Sequence, residues 1–234
     1  MFLTQFRFNT ARTGTRRLLS SPQALHAAVM SSFEERPDHQ GTGPRVLWRL
    51  DRQARTEVLL YIASPVEPDL THLVEQAGWP STSGWLTKPY SPFLDRLAVG
   101  DVWAFRLTAN PVHSIRRNAA EPTKRTAHIT PEHQLGWLLA RQTQAGFEVL
   151  ARPDPAPDGR EGSRHEIIVH NQNDLAFRKK NETDVRSHKV TLTRVTYDGR
   201  LRVLDADVFR RTLTSGLGKA KAYGCGLMTL ASGE

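Results

Sequence analysis

Segments with a two-residue apolar period alternate along this chain with segments of helical period, and this alternation limits the possible folds more than any other feature. The opening segment shows the strand pattern, because Phe2, Phe6 and Phe8 fall on one face while Gln5 and Arg7 fall on the other. No segment is a long, continuously apolar strand of the kind that a parallel sheet buries on both faces. The chain therefore predicts the α+β class in preference to a single α/β domain.

The first half predicts the element order β-α-β-β-α-β. Its first helix begins at Ser21-Pro22, where a capping serine precedes a proline, and runs for about four turns. Arg12, Arg16 and Arg17 are placed in the loop before it. The other predicted elements of this half are strands at 45–50, 57–63 and 101–107 and a helix at 70–76.

The second half alternates in a similar but less regular way. Thr130-Pro131 starts a helix that ends near residue 144, and Asp205 caps another. Strands are predicted at 147–150, 166–170, 176–179, 189–197, 201–203 and 227–230, with a loop at 154–159 and a turn at Asp198-Gly199. The interpretation is two tandem ferredoxin-like (RRM-like) domains, 1–113 and 130–234, joined by a linker at 114–129 and ending in a C-terminal glycine-rich loop.

The charge and cysteine content favour an intracellular protein with a polyanionic partner. The 234 residues carry a formal charge of +8, which favours nucleic acid, although charge can also serve solubility alone. Cys225 is the single cysteine, which excludes an intrachain disulfide and a multi-cysteine zinc site. We expect a cytoplasmic protein, because neither a signal peptide nor a membrane span is visible in the sequence.

A glycine-rich segment near the C-terminus is a candidate phosphate-binding loop. Glycines let backbone N–H groups approach an anion, and lysines supply positive charge. The spacing fits neither a dinucleotide fingerprint nor a P-loop, and the alternative is a glycine-rich turn with solvated lysines. The candidate residues are Gly216, Gly218, Lys219, Lys221, Gly224 and Gly226.

This segment, GLGKAKAYGCGLM from Gly216, resembles the C-terminal glycine-rich loop of the repeat-associated CRISPR RNA-binding superfamily, in the version of the CasE family. Three further segments agree with that family in order and spacing: 1–8, RLTANPV from Arg106, and DGRLRV from Asp198. The resemblance implies a metal-independent endoribonuclease that needs no cofactor. Its expected partners are CRISPR repeat hairpin RNA and the other subunits of a Cascade complex.

His26 is the catalytic candidate that the resemblance implies, because CasE proteins carry a catalytic histidine on the first helix and His26 is the one histidine there. It would act as general base or general acid when a ribose 2′-hydroxyl attacks the adjacent phosphate, and the sequence does not choose between these roles. Arg12, Arg16 and Arg17 are candidates for stabilising the developing charge or for binding RNA, or they form a solvated basic loop. Gln23 occupies the position of an assisting tyrosine in some family members.

A basic segment between two predicted strands resembles the family's RNA-binding hairpin. Arg178, Lys179 and Lys180 are expected to contact the RNA stem, and Lys124 and Arg125 extend the same surface. A charged edge strand that resists aggregation is the alternative. For the whole protein, the alternatives to the endonuclease are a non-catalytic hairpin-RNA-binding subunit and a general basic nucleic-acid-binding protein.

Overall fold

The computed structural model of the protein describes residues 1–35, 43–54, 56–79, 84–115, 124–152, 164–181 and 184–233, and for residues 115, 124, 125, 178–181 and 184–189 the backbone alone. The chain forms two compact units. The first comprises Met1–Leu97, Arg210–Gly216 and Lys221–Leu227, and the second comprises Ala98–Phe209, Leu217–Ala220 and Met228–Glu234. The sequence-based division at residues 114–129 is a different one and stays a prediction about how the chain folds.

The first unit is built on one antiparallel four-stranded sheet. Its elements are β1 (Phe2–Asn9), α1 (Thr13–Ser20), α2 (Pro22–Met30), β2 (Leu47–Arg52), β3 (Glu57–Ser64), α3 (Thr71–Ala77), β4 (Trp85–Pro89) and α4 (Ser91–Asp95). The strand order β2-β3-β1-β4 places β3 between β1 and β2, and β1 between β3 and β4. Each helical connection thus spans a neighbouring strand, which is the split β-α-β arrangement of a ferredoxin-like domain.

The core of the first unit lies between this sheet and its helices. Phe6 and Phe8 are fully buried and meet edge to face with ring centroids 5.0 Å apart, as the two-residue period predicts. Leu25 and Val29 of α2 pack into the same cluster. Arg16 and Arg17 lie in the helix α1 and Arg12 is its N-cap residue, so the prediction of a loop is wrong for Arg16 and Arg17. α2 is shorter than the predicted four turns.

The second unit repeats the same strand order. Its elements are β5 (Val102–Ala109), β6 (Val112–Ile115), β7 (Lys124–Ala127), α5 (Pro131–Gln142), β8 (Phe147–Val149), β9 (Ile167–Asn181), β10 (Asp184–Val203), α6 (Ala206–Ser215) and β11 (Met228–Ser232), with the last part of α6 belonging to the first unit. The sheet order is β11-β5-β10-β8, all pairs are antiparallel, and β9 adds to β10. The tandem ferredoxin-like interpretation is thereby confirmed, and the single α/β domain is excluded.

Three strand predictions need correction. The fourth strand of the first sheet is β4, whereas the strand predicted at 101–107 is β5 and opens the second sheet. β6, which begins at Val112 just before the predicted linker, pairs with β7 inside it. Asp198-Gly199 is not a turn but lies inside β10, where a Cβ on Gly199 would clash with the carbonyl oxygen of Glu166. The predicted loop at 154–159 lies outside the described residues.

Candidate functional site

His26 is held at the edge of the first unit's core by the helix that carries it. The Ser21 side chain caps α2 by accepting a hydrogen bond from the backbone N–H of Ala24 at 3.2 Å, as predicted from the sequence. Leu25 is buried, and His26, one residue further around the helix, is half-buried. The indole Nε1–H of Trp48, on β2, donates a hydrogen bond to Nδ1 of His26 at 3.4 Å. A strand of the sheet therefore fixes the orientation of the imidazole.

Gly224 brings the glycine-rich loop onto the same tryptophan. Its φ is +76°, a left-handed conformation that favours glycine, and a Cβ added there would lie 2.6 Å from Cζ3 of Trp48. The turn before it, a short 3-10 helix at Lys221–Tyr223, packs against α2 and β2. The structure thus gathers His26, Trp48 and part of the predicted phosphate-binding loop in the first unit.

Gly218 lies in the second unit and is constrained in a parallel way. Its φ is +83°, and a Cβ added there would lie 3.0 Å from two atoms of the Trp137 ring. Trp137 is itself stacked with Tyr197 and with the guanidinium of Arg141. Packing against an indole thus accounts for glycine at both positions. Gly216 and Gly226 also have positive φ, and the side chain of Lys219, next to Gly218, is exposed.

Arg12, which precedes α1, has different surroundings from Arg16 and Arg17 within it. Arg12 donates from Nη1 to the carbonyl oxygens of Val74 (3.1 Å) and Gly78 (3.2 Å), so it caps the C-terminal end of α3. Arg16 and Arg17 are exposed, and Arg16 has one long hydrogen bond, 3.4 Å, to a threonine of its own helix. Arg16 and Arg17 are therefore better presented to a polyanion than Arg12 is.

Gln23 lies on the first turn of α2, three residues before His26. Side chains at this spacing are neighbours on a helix surface. Tyr223 and Trp48, which the sequence analysis did not select, also border this region: Tyr223 is on the turn that packs against α2, and Trp48 bonds to His26. Burial raises the pKa of the Tyr223 phenol. No local pattern in the sequence marks either residue, because both reach α2 through tertiary contacts.

The predicted basic hairpin corresponds to a long two-stranded ribbon of β9 and β10, and its role in binding RNA stays a prediction. β10 pairs with β5 from Val195 onward, whereas Asp184 and residues 188–194 pair with β9 alone, with a register shift between Asp184 and His188. At about 3.3 Å per residue, this ribbon extends roughly 35 Å beyond the sheet. A register shift separates ribbon and sheet near Asn171, whose φ is +52°. The structure gives the backbone of Arg178, Lys179 and Lys180 in the ribbon, and of Lys124 and Arg125 in β7.

Opposite charges are paired on strands β5, β9 and β10. Arg106 binds Asp198 through two hydrogen bonds of 2.7 and 2.6 Å, and Nε2 of His170 lies 3.0 Å from the same carboxylate. Burial alone would raise the pKa of Asp198, but the bonds from Arg106 and His170 outweigh burial and lower it. The carboxylate of Asp198 therefore neutralises the charge of Arg106, and Arg106 would have to break this ion pair before it could bind RNA.

In the described ranges, no group of three or more His, Cys, Asp or Glu side chains is arranged to hold a metal ion. No helix of that part of the chain is long and apolar enough to cross a membrane.

Comparison with known proteins identifies the family that has this architecture. A family model described as "CRISPR associated protein" matches residues 1–232. The chain belongs to this CRISPR-associated family. The curated CRISPR-associated endoribonuclease Cse3 of Thermus thermophilus is 30% identical over 232 residues, which are 99% of this chain and 100% of that protein. The resemblance to the CasE family is thereby confirmed.

Solved structures of this family share the fold. Cse3 bound to a 19-nucleotide RNA is 27% identical, with a TM-score of 0.74 and coverage of 99% of this chain and 100% of that chain. Thermus thermophilus Cse3, bound to an RNA representing a pre-cleavage complex, is 29% identical with a TM-score of 0.73, and the coverage is 99% and 98%. The likeness therefore extends over both units.

Two of the segments that carry the family resemblance are neighbours in the structure. The segment from Arg106 is part of β5 and the segment from Asp198 is part of β10, where these two residues are direct cross-strand partners. The roles of His26, of the basic residues and of the loop glycines stay predictions.

Proposed function

We propose that this protein is a metal-independent endoribonuclease that cleaves CRISPR precursor RNA on the 3′ side of the repeat hairpin. The observation that carries the proposal is the convergence of His26 and the glycine-rich loop on Trp48. A titratable group beside a loop suited to phosphates is the minimum that cleavage by an internal 2′-hydroxyl requires. The relatives support the proposal, since Cse3 is named an endoribonuclease and its solved structures hold RNA.

In the proposed reaction the ribose 2′-oxygen loses its proton and bonds to the adjacent phosphorus, while the bond from phosphorus to the 5′-oxygen breaks. The leaving 5′-oxygen takes up a proton. The products are a 2′,3′-cyclic phosphate and a 5′-hydroxyl. His26 either accepts the first proton or supplies the second.

Positive charge and a second polar group complete the proposed site. Arg16 and Arg17, which are exposed in the same unit as His26, are suited to stabilise the charge that develops on the phosphate. Gln23 can donate a hydrogen bond but cannot supply a proton. Tyr223, on the turn packed against α2, carries a phenol that is neutral near pH 7 and can donate a hydrogen bond, and burial raises its pKa further.

The ribbon of β9 and β10 is proposed to bind the RNA stem. The deep, narrow major groove of A-form RNA does not admit an ordinary helix, whereas a two-stranded ribbon with basic residues can follow the phosphates. Tight retention of the product suits a subunit of a Cascade complex, and such a complex is the partner that we propose, in the cytoplasm.

A non-catalytic RNA-binding subunit is the second candidate. It is favoured by one observation, the presence of Gln23 rather than an ionisable residue three positions before His26. Both candidates bind hairpin RNA, and they differ in cleavage alone.

The test is incubation of the purified protein with a labelled cognate repeat hairpin in EDTA, beside a copy with hydrogen in place of the 2′-hydroxyl at the cut site. We expect cleavage of the first RNA and binding without cleavage of the second. His26→Ala should abolish cleavage and leave affinity nearly unchanged. His133→Ala is the matched control, because His133 is an exposed histidine bonded to Thr130 in the second unit. Tight binding of the cognate hairpin without cleavage would support the RNA-binding subunit instead.

A further inference from the structure

The hydrogen bond from Trp48 favours one tautomer of His26. Trp48 is one of the largest fully buried side chains, 1% exposed, so the surrounding core holds its ring in place in the free protein. An indole N–H can donate but not accept. Its bond to Nδ1 of His26 at 3.4 Å therefore requires a lone pair on Nδ1. In the neutral ring the hydrogen must then lie on Nε2.

This tautomer conflicts with proton exchange at Nε2. A general base must begin with a lone pair on Nε2, and a general acid ends with one. In both cases Nδ1 keeps a hydrogen throughout, and that N–H would point at the indole N–H of Trp48. The bond from Trp48 and proton exchange at Nε2 of His26 are therefore mutually exclusive.

The glycine-rich loop is in contact with the same indole. A Cβ on Gly224 would lie 2.6 Å from Cζ3 and 3.0 Å from Cη2, so the backbone of the loop rests directly on the six-membered ring. A small shift of the loop must move the indole or separate from it, because protein interiors are close-packed. The indole thus links the backbone at Gly224 to the hydrogen bond at His26.

We propose that Trp48 is a positioning residue that holds His26 in a resting tautomer, and that RNA bound at the glycine-rich loop releases it through Gly224. The inference rests on the proposed function of His26. On this proposal, RNA bound at the loop breaks the hydrogen bond from Trp48, and His26 can then exchange a proton at Nε2.

The experiment is ¹⁵N NMR of the imidazole nitrogens of the full chain, with His26 assigned by comparison with His26→Gln. In the free wild-type protein we expect Nδ1 without hydrogen. On addition of the repeat hairpin that lacks the 2′-hydroxyl at the cut site, Nδ1 should gain hydrogen. Trp48→Phe keeps an aromatic ring and removes the donor, so Nδ1–H should be populated without RNA. Trp137→Phe is the matched control and should leave His26 unchanged.

A second variant covers the case in which Trp48→Phe does not fold. Gly224→Ala should displace the indole and shift the tautomer of His26 without RNA, whereas Gly218→Ala, whose Cβ meets Trp137, should not. An unchanged tautomer in Trp48→Phe and in Gly224→Ala would overturn the inference, as would Nδ1–H in the free wild-type protein. The proposed function is tested separately, because cleavage by His26→Ala at the wild-type rate would defeat the catalytic assignment whatever the tautomer.

Discussion

Substitution of Gly224 by alanine should destabilise the protein by about 2–5 kcal/mol. The left-handed φ of +76° costs a residue with a Cβ about 1–2 kcal/mol. The new methyl group would also lie 2.6 Å from a buried indole, and such overpacking costs about 1–3 kcal/mol. The indole cannot move away cheaply, because Trp48 is 1% exposed.

Gly100→Ala separates these two contributions. Gly100 has a φ of +92°, but a Cβ there would have no neighbour within 4 Å, so we expect the backbone cost of about 1–2 kcal/mol alone. The assay is urea unfolding at 25 °C followed by circular dichroism, with the free energy of unfolding extrapolated to water. The effect of alanine on the unfolded chain is similar in both variants and cancels in their difference. If Gly224→Ala were no more costly than Gly100→Ala, the argument from the tryptophan contact would be refuted.

Three other predictions concern pH, a buried ion pair and the ribbon. Burial, and to a smaller extent two neighbouring histidines and an arginine, lowers the pKa of His128 from its ordinary value of 6.5. The folded state therefore binds fewer protons than the unfolded state, and the free energy of unfolding should fall as the pH drops below about 6.5. His128→Gln should weaken this pH dependence, as measured by urea titrations at several pH values. Asp51→Asn should lower the free energy of unfolding by about 3–5 kcal/mol, because it removes the carboxylate that lies 2.7 Å from the guanidinium of Arg49, which is 2% exposed. An unchanged urea midpoint would contradict this prediction. Joint substitution of Lys179 and Lys180 by alanine should reduce the slope of log affinity for hairpin RNA against log salt by about two, and a constant slope would show that these lysines do not contact phosphates.

Local signals in the sequence predicted much of the fold. The two-residue period of Phe2, Phe6 and Phe8 identified β1, and a capping residue before proline identified the starts of α2 and α5. Strand β4 was not predicted, because its short sequence, WLTKP, shows no two-residue alternation of apolar and polar residues and ends in proline. Asp198-Gly199 is typical of a turn, yet this glycine serves the close approach of a neighbouring strand.

The candidate site was predictable in part. His26 and the glycine-rich loop could be selected from a family resemblance, and Gly224 from its place in that loop. Their connection through Trp48 could not be predicted, because it depends on how β2, α2 and the loop pack, and no spacing along the chain encodes that. The role of Arg12 in capping α3 was hidden for the same reason, since its acceptors lie more than 60 residues away.

The continuity of β9 and β10 from the sheet into the ribbon has a consequence for engineering its reach. Removing two residues from each strand would shorten the ribbon by about 7 Å and keep every remaining side chain on its original face. Removing one residue from each strand would shorten it by half as much, but would exchange the faces of everything beyond the cut. The ribbon can thus be resized in steps of two residues per strand, and a series of such variants would act as a ruler for the length of RNA stem that the protein can engage.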